Sequence, residues 1–145
     1  MTSWRVTASQ QAQDDLDGLL EPALEFAQHQ LDKYREFHPY AVVVDVVGQQ
    51  RMVAADTRDE QPDSAHIITA LIESLGDQRD ELRAVAIVAD VRLPDLGTDA
   101  VRVTLEHADG AALAVVLPYR PRRFGRGVDF GDLQAGEASV SIWTS

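Results

Sequence analysis

Three consecutive apolar segments between residues 84 and 119 constrain the fold of this chain more than any other feature. They read AVAIVADVRL, AVRVTLEH and AALAVVLPY, and the polar stretches PDLGTD and ADG separate them. Valine-rich runs of this length, bounded by glycine and aspartate, are typical of β-strands joined by turns. We therefore expect a three-stranded antiparallel meander, which the rest of the chain covers or extends.

Turn chemistry predicts how these strands pair. A three-residue loop at 108–110 with a left-handed glycine sets Leu105 opposite Leu113, whereas a two-residue turn mixes the faces. Treating the preceding strand in the same way pairs Ile87 with Leu105. The predicted core face comprises Val85, Ile87, Ala89, Val91, Val101, Val103, Leu105, Leu113, Val115 and Leu117. The predicted second face comprises Ala86, Val88, Asp90, Thr104, Glu106, Ala112, Ala114 and Val116.

Upstream of the meander, the pattern predicts a helix and a hairpin. Apolar residues recur at spacings of three and four between Leu16 and Tyr34, and Pro22 either kinks this helix or starts a second one. Residues 37–39 should end the helical region because the residue before a proline avoids helical geometry. A two-residue turn at Gly48-Gln49 predicts a hairpin that pairs Val44 with Val53. This hairpin is largely apolar on both sides, and is hence expected to be covered on both sides.

The next elements are a polar loop, a second helix and a C-terminal strand. Asp63 or Ser64 is the expected helix N-cap and Gly76 a plausible C-cap. The last apolar run, 140–143, is interpreted as a terminal strand.

This order, α-β-β-α-β-β-β and then a terminal strand, predicts a single α+β domain over residues 1–145. We expect an antiparallel sheet of about five to six strands with two main helices packed on one face. The predicted parts are an arm (1–8), a helical region (9–37), the hairpin, helix and meander (40–119), and an Arg-rich loop with the terminal strand (120–145).

Composition excludes several classes of function. A formal net charge of −11 argues against binding nucleic acid or an anionic membrane over the whole surface. If the protein has a charged partner, we expect that partner to be cationic. The chain has no cysteine, so disulfides and thiolate chemistry are excluded. Without a membrane-length apolar run, a cytoplasmic location is expected, and arginine outnumbering lysine suggests a GC-rich bacterial genome.

The most distinctive local feature is a cluster of four arginines, Arg120, Arg122, Arg123 and Arg126. Guanidinium groups bind phosphates and carboxylates in a bidentate manner, so the cluster can hold an anionic ligand or an acidic partner. The favoured interpretation is simpler. The arginines pair with the protein's own acids in a loop that contains glycine and proline.

No catalytic residue, metal site or cofactor is predicted. The acid-rich run from Asp56 to His66 lacks the alternate-acid spacing of a calcium loop, so a solvated loop with a helix cap is favoured. Glu106 and His107 are adjacent on a strand and point to opposite faces, so they cannot act as a direct acid–base pair.

The second face is the main functional lead, because monomers seldom expose so apolar a surface. The candidate interface comprises Ala86, Val88, Thr104, Ala114 and Val116. Two explanations stay open. Either the chain's own ends cover the face, using Trp4, Val6, Phe124, Phe130, Ile142 or Trp143, or a partner does.

In element order, residues 9–119 resemble the roadblock and profilin-like small α+β domains. That resemblance implies a dimerising scaffold or regulator, although from residue 120 the chain departs from the pattern, which usually closes with a helix. The leading hypothesis is a non-enzymatic binding or regulatory module that forms a homodimer through a sheet face or edge. The alternatives are an acidic protein that sequesters a cationic protein partner, and an anionic-ligand domain or enzyme that uses the arginine cluster.

Overall fold

The computed structural model describes residues 8–55, 63–125 and 127–144, which form an α+β fold as predicted. Helix α1 spans Gln10–Tyr34 and helix α2 spans Ser64–Asp77, and a 3-10 turn, Arg79–Glu81, follows α2. The strands are β1 (Tyr40–Asp45), β2 (Gln50–Val53), β3 (Leu82–Leu93), β4 (Thr98–His107), β5 (Ala112–Pro121), β6 (Val128–Phe130) and β7 (Gln134–Glu137). Of the predicted arm only Ala8 is described, and the predicted polar loop lies outside the described residues.

All seven strands belong to one antiparallel sheet. The order is β2-β1-β3-β4-β5-β6, and β7 pairs with β5 alongside β6. The connection through α2 carries the chain from edge strand β2 across β1 to β3. The chain thus places its longest strand, the 12-residue β3, between β1 and β4.

Different elements cover the two faces of the sheet. The first face contains Val42, Ala86, Val88, Val103 and Val115 and packs against α1 through Leu16, Leu19, Ala23, Ala27 and Leu31. The second face contains Ala41, Val43, Val85 and Ile87 and packs against α2 through Ile67, Leu71 and Leu75. The prediction that both helices share one face is therefore wrong. Strands β1 and β3 are apolar on both sides, so each side requires its own cover.

Helix α1 continues through Pro22 as one helix and ends at Tyr34, a few residues before the predicted stop. A proline inside a helix removes the N–H that would bond to the carbonyl four residues earlier, here that of Gly18. The side-chain amide of Gln50, on β2, donates to the Gly18 carbonyl oxygen at 2.9 Å. The edge strand thus supplies the hydrogen bond that Pro22 cannot make.

Both tight hairpins use the same three-residue loop with a left-handed glycine in its third position. In the β4–β5 turn this is Gly110 (φ 103°), and the predicted pairing of Leu105 with Leu113 is confirmed. In the β1–β2 turn it is Gly48 (φ 90°), and Val44 pairs with Gln50. The predicted two-residue turn and its pairing of Val44 with Val53 are therefore wrong.

The Asp45 side chain explains the β1–β2 turn. Its Oδ1 atom accepts hydrogen bonds from the backbone N–H groups of Val47 and Gln49, at 3.0 and 2.9 Å. These two hydrogen bonds stabilise the three-residue loop. The position of the glycine alone does not predict them.

The predicted register between β3 and β4 is wrong by one residue. Ala86, not Ile87, lies opposite Leu105, and Asp90 lies opposite Val101. A one-residue slip moves every side chain of a strand to the other face. The predicted face assignment of β3 is therefore inverted, so that Ala86 and Val88 belong with the α1 core.

The predicted N-cap of α2 is confirmed, whereas its predicted C-cap and the predicted terminal strand are wrong. Asp63 is the N-cap of α2, as expected, and accepts a hydrogen bond from the His66 N–H at 2.7 Å. Gly76 lies inside α2, whose C-cap is Gln78. The run 140–143 forms bends rather than a strand, because its N–H groups bond to a side chain and not to a sheet edge.

The compensation of Pro22 by Gln50 predicts a double-mutant cycle in urea unfolding. Pro22→Ala should raise the free energy of unfolding by about 1–3 kcal/mol, because it restores a helical N–H and removes a steric conflict. Gln50→Ala should cost up to about 1 kcal/mol in the native chain and almost nothing in the Pro22→Ala background. Gln49→Ala, in the adjacent turn, is the matched control and should cost the same in both backgrounds. An equal cost of Gln50→Ala in both backgrounds would contradict the compensation.

Candidate functional site

One part of the second face remains open to solvent. Helix α2 covers this face over β1 and β3, whereas the strands β4, β5 and β7 lie beyond it. On these strands Thr104, Ala114 and Val116 are half-buried and form a floor of small side chains, and exposed Arg102 lies opposite Val116 on the same face. The β3–β4 turn borders this floor with Leu96, whose side chain is 55% exposed.

The floor and the turn enclose a shallow open groove of about 460 Å³. Its lining comprises Leu93, Pro94, Asp95, Leu96, Ala114, Val116, Gln134, Ala135 and Gly136. Asp95 is the one charged residue in this lining, on a chain whose net charge is −11. The groove is thus suited to apolar side chains and carries little of the charge that otherwise repels a second acidic surface.

The five residues of the candidate interface do not share one face. Thr104, Ala114 and Val116 lie on the open part of the second face, whereas Ala86 and Val88 are fully buried beneath α1. The one-residue register error accounts for this split. Sequence reasoning also missed the groove wall at Leu93 and Leu96, because its proximity to β5 arises from the curl of the sheet and not from strand periodicity.

Two of the described arginines of the cluster have different neighbours. Arg120, Arg122 and Arg123 are all exposed. The Arg122 Nε atom lies 3.3 Å from Asp129 Oδ1, and the Arg123 guanidinium lies over the Phe124 ring at 6.0 Å. Arg126 lies outside the described residues. Pairing with the protein's own acid, the favoured interpretation, is observed for Arg122.

A buried polar cluster connects α1 to the sheet. Asp15 accepts two hydrogen bonds from Arg83, at 2.8 and 2.9 Å, and its Oδ2 atom lies 2.8 Å from His107 Nε2. Arg83 is the extra residue of a bulge, since Val44 pairs with Ala84 and Asp45 with Leu82. A bulge redirects a side chain, here towards α1.

His107 occupies this cluster as a structural residue. The Asp109 N–H donates to its Nδ1 atom at 3.1 Å, so that Nε2 carries the proton that is donated to Asp15. The His107 side chain is only 3% exposed. A general acid or base must reach its substrate, so this pair anchors α1 and does not form an accessible catalytic site.

Asp109 extends the cluster to the N-cap of α1. Its carboxylate accepts hydrogen bonds from Ser9 Oγ at 2.8 Å and from the Ala111 N–H at 2.9 Å. Partial burial acts to raise the pKa of Asp109, but the hydrogen bonds from Ala111 and Ser9, together with nearby His107, outweigh it and lower that pKa below its ordinary value.

Glu106 is buried on the second face and binds the C-terminal segment. Its carboxylate accepts hydrogen bonds from the backbone N–H groups of Ser141, Ile142 and Trp143, at 3.0, 2.9 and 2.8 Å. Ile142 is 1% exposed and packs in the α2 cluster. The chain's own C-terminal end thus covers part of the second face, one of the two explanations that the sequence left open.

A half-buried acid, Asp90, lies at the other end of the sheet. The Tyr119 hydroxyl donates a hydrogen bond to Asp90 Oδ1. Burial raises the pKa of Asp90, and the hydrogen bond from Tyr119 opposes that rise only in part. Burial and the Asp90 carboxylate both raise the pKa of Tyr119, so the phenol stays protonated and acts as a donor.

The exposed side of α1 carries most of its acidic residues. Asp14, Asp17, Glu21, Glu25 and Asp32 are all exposed there. This surface is compatible with a cationic protein partner, which stays a prediction.

The acid-rich run contributes a helix cap and no metal cluster within the described residues. Asp63 caps α2, whereas Asp56, Asp59 and Glu60 lie outside the described part of the chain. No group of three or more potential metal ligands occurs among the residues that the structure describes. Within the same residues, no helix is both long and apolar enough to cross a membrane.

Comparison with known proteins gives no relative. No protein-family model, no curated protein and no solved structure matches the chain.

The hydrogen bonds to Asp109 predict a pH-dependent contribution to stability. A pKa lowered by folding stabilises the native state above the unfolded value of about 3.9, and this stabilisation is lost as pH falls through the folded value. Asp109→Asn should therefore lower the free energy of unfolding by about 0.5–1.5 kcal/mol at pH 7. The difference from the native chain should shrink below about pH 4. Exposed Asp132→Asn is the matched control, and a pH-independent effect of Asp109→Asn in urea titrations would contradict the assignment.

Proposed function

We propose that this protein is a non-enzymatic binding module that forms a homodimer through the open groove on the second sheet face. The single observation that carries this proposal is the groove's composition, a floor of small uncharged residues beside an exposed leucine on an otherwise acidic chain. The buried polar clusters also favour a non-enzymatic role. His107 holds α1 and Glu106 holds the C-terminal segment, and both side chains are too buried to reach a substrate.

The groove has the self-complementary form that a two-fold interface requires. A two-fold axis brings the same patch of both copies together, so the patch must contain both a projecting group and a recess. Leu96 projects from the β3–β4 turn, and Ala114 and Gly136 leave a recess beside it. In the proposed dimer, Leu96 of each copy occupies the recess of the other.

Electrostatics favour the same surface. Two copies that each carry a net charge of −11 repel one another wherever acidic residues face each other. The groove lining has a single acid, Asp95, so contact there brings few like charges together. The resemblance to dimerising roadblock and profilin-like domains is in line with this proposal and stays a prediction.

A charge placed in the groove tests the proposed dimer. In light scattering at micromolar concentrations, the native chain should be a dimer. Ala114→Glu, opposite uncharged Thr104 and Gly136, should raise the dimer Kd at least about 100-fold, because an unpaired buried charge costs about 3–5 kcal/mol. Val47→Glu adds the same charge at a 76% exposed position of the β1–β2 turn and should leave the dimer intact. Thermal unfolding of both variants shows whether the fold is retained.

Two outcomes would contradict the proposal. One is a native chain that stays monomeric at the highest concentration measured. The other is a dimer that Ala114→Glu and Val47→Glu weaken to the same extent.

A further inference from the structure

The C-terminal segment 139–144, called here the strap, is bound as a separate peptide ligand would be. It makes no strand pairing with the described part of the sheet. Its contacts include hydrogen bonds to the Glu106 carboxylate, the packing of Ile142 and Trp143 against the α2 cluster, and a 3.5 Å hydrogen bond from Arg79 Nη1 to the Thr144 carbonyl oxygen. Among the described residues, the strap is therefore held by hydrogen bonds to side chains and by apolar packing, and not by strand pairing.

The strap site requires an occupant. Without the strap, the Glu106 carboxylate would lose every hydrogen-bond donor that the structure describes for it, and the apolar residues of the α2 cluster that pack against Ile142 would face solvent. Exposure of this apolar surface is unfavourable. The site therefore selects a peptide with three consecutive free N–H groups and a branched aliphatic side chain on the middle residue.

We propose that this site accepts the strap of a second copy, so that the two copies of the dimer exchange their C-terminal segments. A second copy carries a ligand of identical chemistry, and every contact made within one chain is made again between chains. Exchange of an identical element is a low-cost route to a dimer. This inference rests on the proposed function and adds a second contact between the copies.

The position of β7 links the strap to the proposed dimer surface. Gln134 and Gly136 of β7 line the groove, and the strap follows β7 after one residue. A second copy seated in the groove therefore lies against the strand from which the strap departs. Residues 138–140 form no helix or strand and can redirect the chain.

Cross-linking between singly substituted full-length chains tests the exchange. The chain contains no cysteine, so Arg79→Cys in one copy and Thr144→Cys in a differently tagged copy each provide a unique thiol. These positions are neighbours wherever a strap is bound. When the two variants are mixed and treated with a short bismaleimide, a covalent heterodimer should form at least about tenfold faster than with the remote pair Val47→Cys and Thr144→Cys, because a bound strap raises the effective concentration of the thiols.

The control is the chain that carries both Arg79→Cys and Thr144→Cys, which reports a strap bound within its own copy. Equal rates of heterodimer formation for the near and remote pairs, with cross-links of the double variant confined within single chains, would overturn the exchange. If light scattering still shows a dimer in that case, the groove dimer stands and the exchange alone fails. A monomeric native chain would contradict both.

Glu106→Gln supplies a kinetic readout. The glutamine keeps the shape of the side chain but loses the charge-assisted hydrogen bonds from Ser141, Ile142 and Trp143. Strap release should accelerate, so the heterodimer should form about tenfold faster or more. An unchanged rate would contradict the role of Glu106. The cross-linking experiment leaves Glu106 unchanged, so it still tests the exchange if Glu106→Gln fails to fold.

Discussion

The apolar character of β3 on both of its faces is the constraint on which the rest of the structure depends. Ala86 and Val88 face α1, while Val85 and Ile87 face α2. A sheet with two apolar faces is stable in water only when both are covered. The first face receives one long helix, which covers it from β1 to β5. The second face receives a shorter helix and the strap, and these leave the groove over β5 and β7 open.

Two adjacent residues at the end of β4 hold these covers in place. His107 points to the first face and bonds to Asp15 of α1. Glu106 points to the second face and bonds to the backbone of the strap. Neighbouring strand residues project to opposite sides, so one strand end anchors a cover on each face. The same geometry that prevents an acid–base pair thus gives each side chain a structural role.

The sequence predicted the helices and strands better than it predicted which side chains lie on each face of the sheet. The three-residue loop around Gly110 correctly paired Leu105 with Leu113, because the turn and the apolar alternation agree there. The β1–β2 turn was misjudged because its geometry depends on hydrogen bonds to the Asp45 side chain. In β3 the alanines and valines fill both faces, so the apolar pattern alone does not fix the register. The interface prediction was split for this reason, with Thr104, Ala114 and Val116 on the open part of the second face and Ala86 and Val88 in the core. The contacts of Asp15, Arg83 and Glu106 join residues distant in sequence and leave no periodic signal.

The central claim is that the open part of the second face is where a second copy binds. Hydroxyl-radical footprinting of the full chain, at concentrations below and above the association midpoint, tests it most directly because it reports side-chain exposure. The account predicts that Leu96 and Val116 lose reactivity as the concentration rises, while exposed Val47 and Phe124 keep theirs. Unchanged reactivity of Leu96, or protection that appears at Val47 instead, would contradict it.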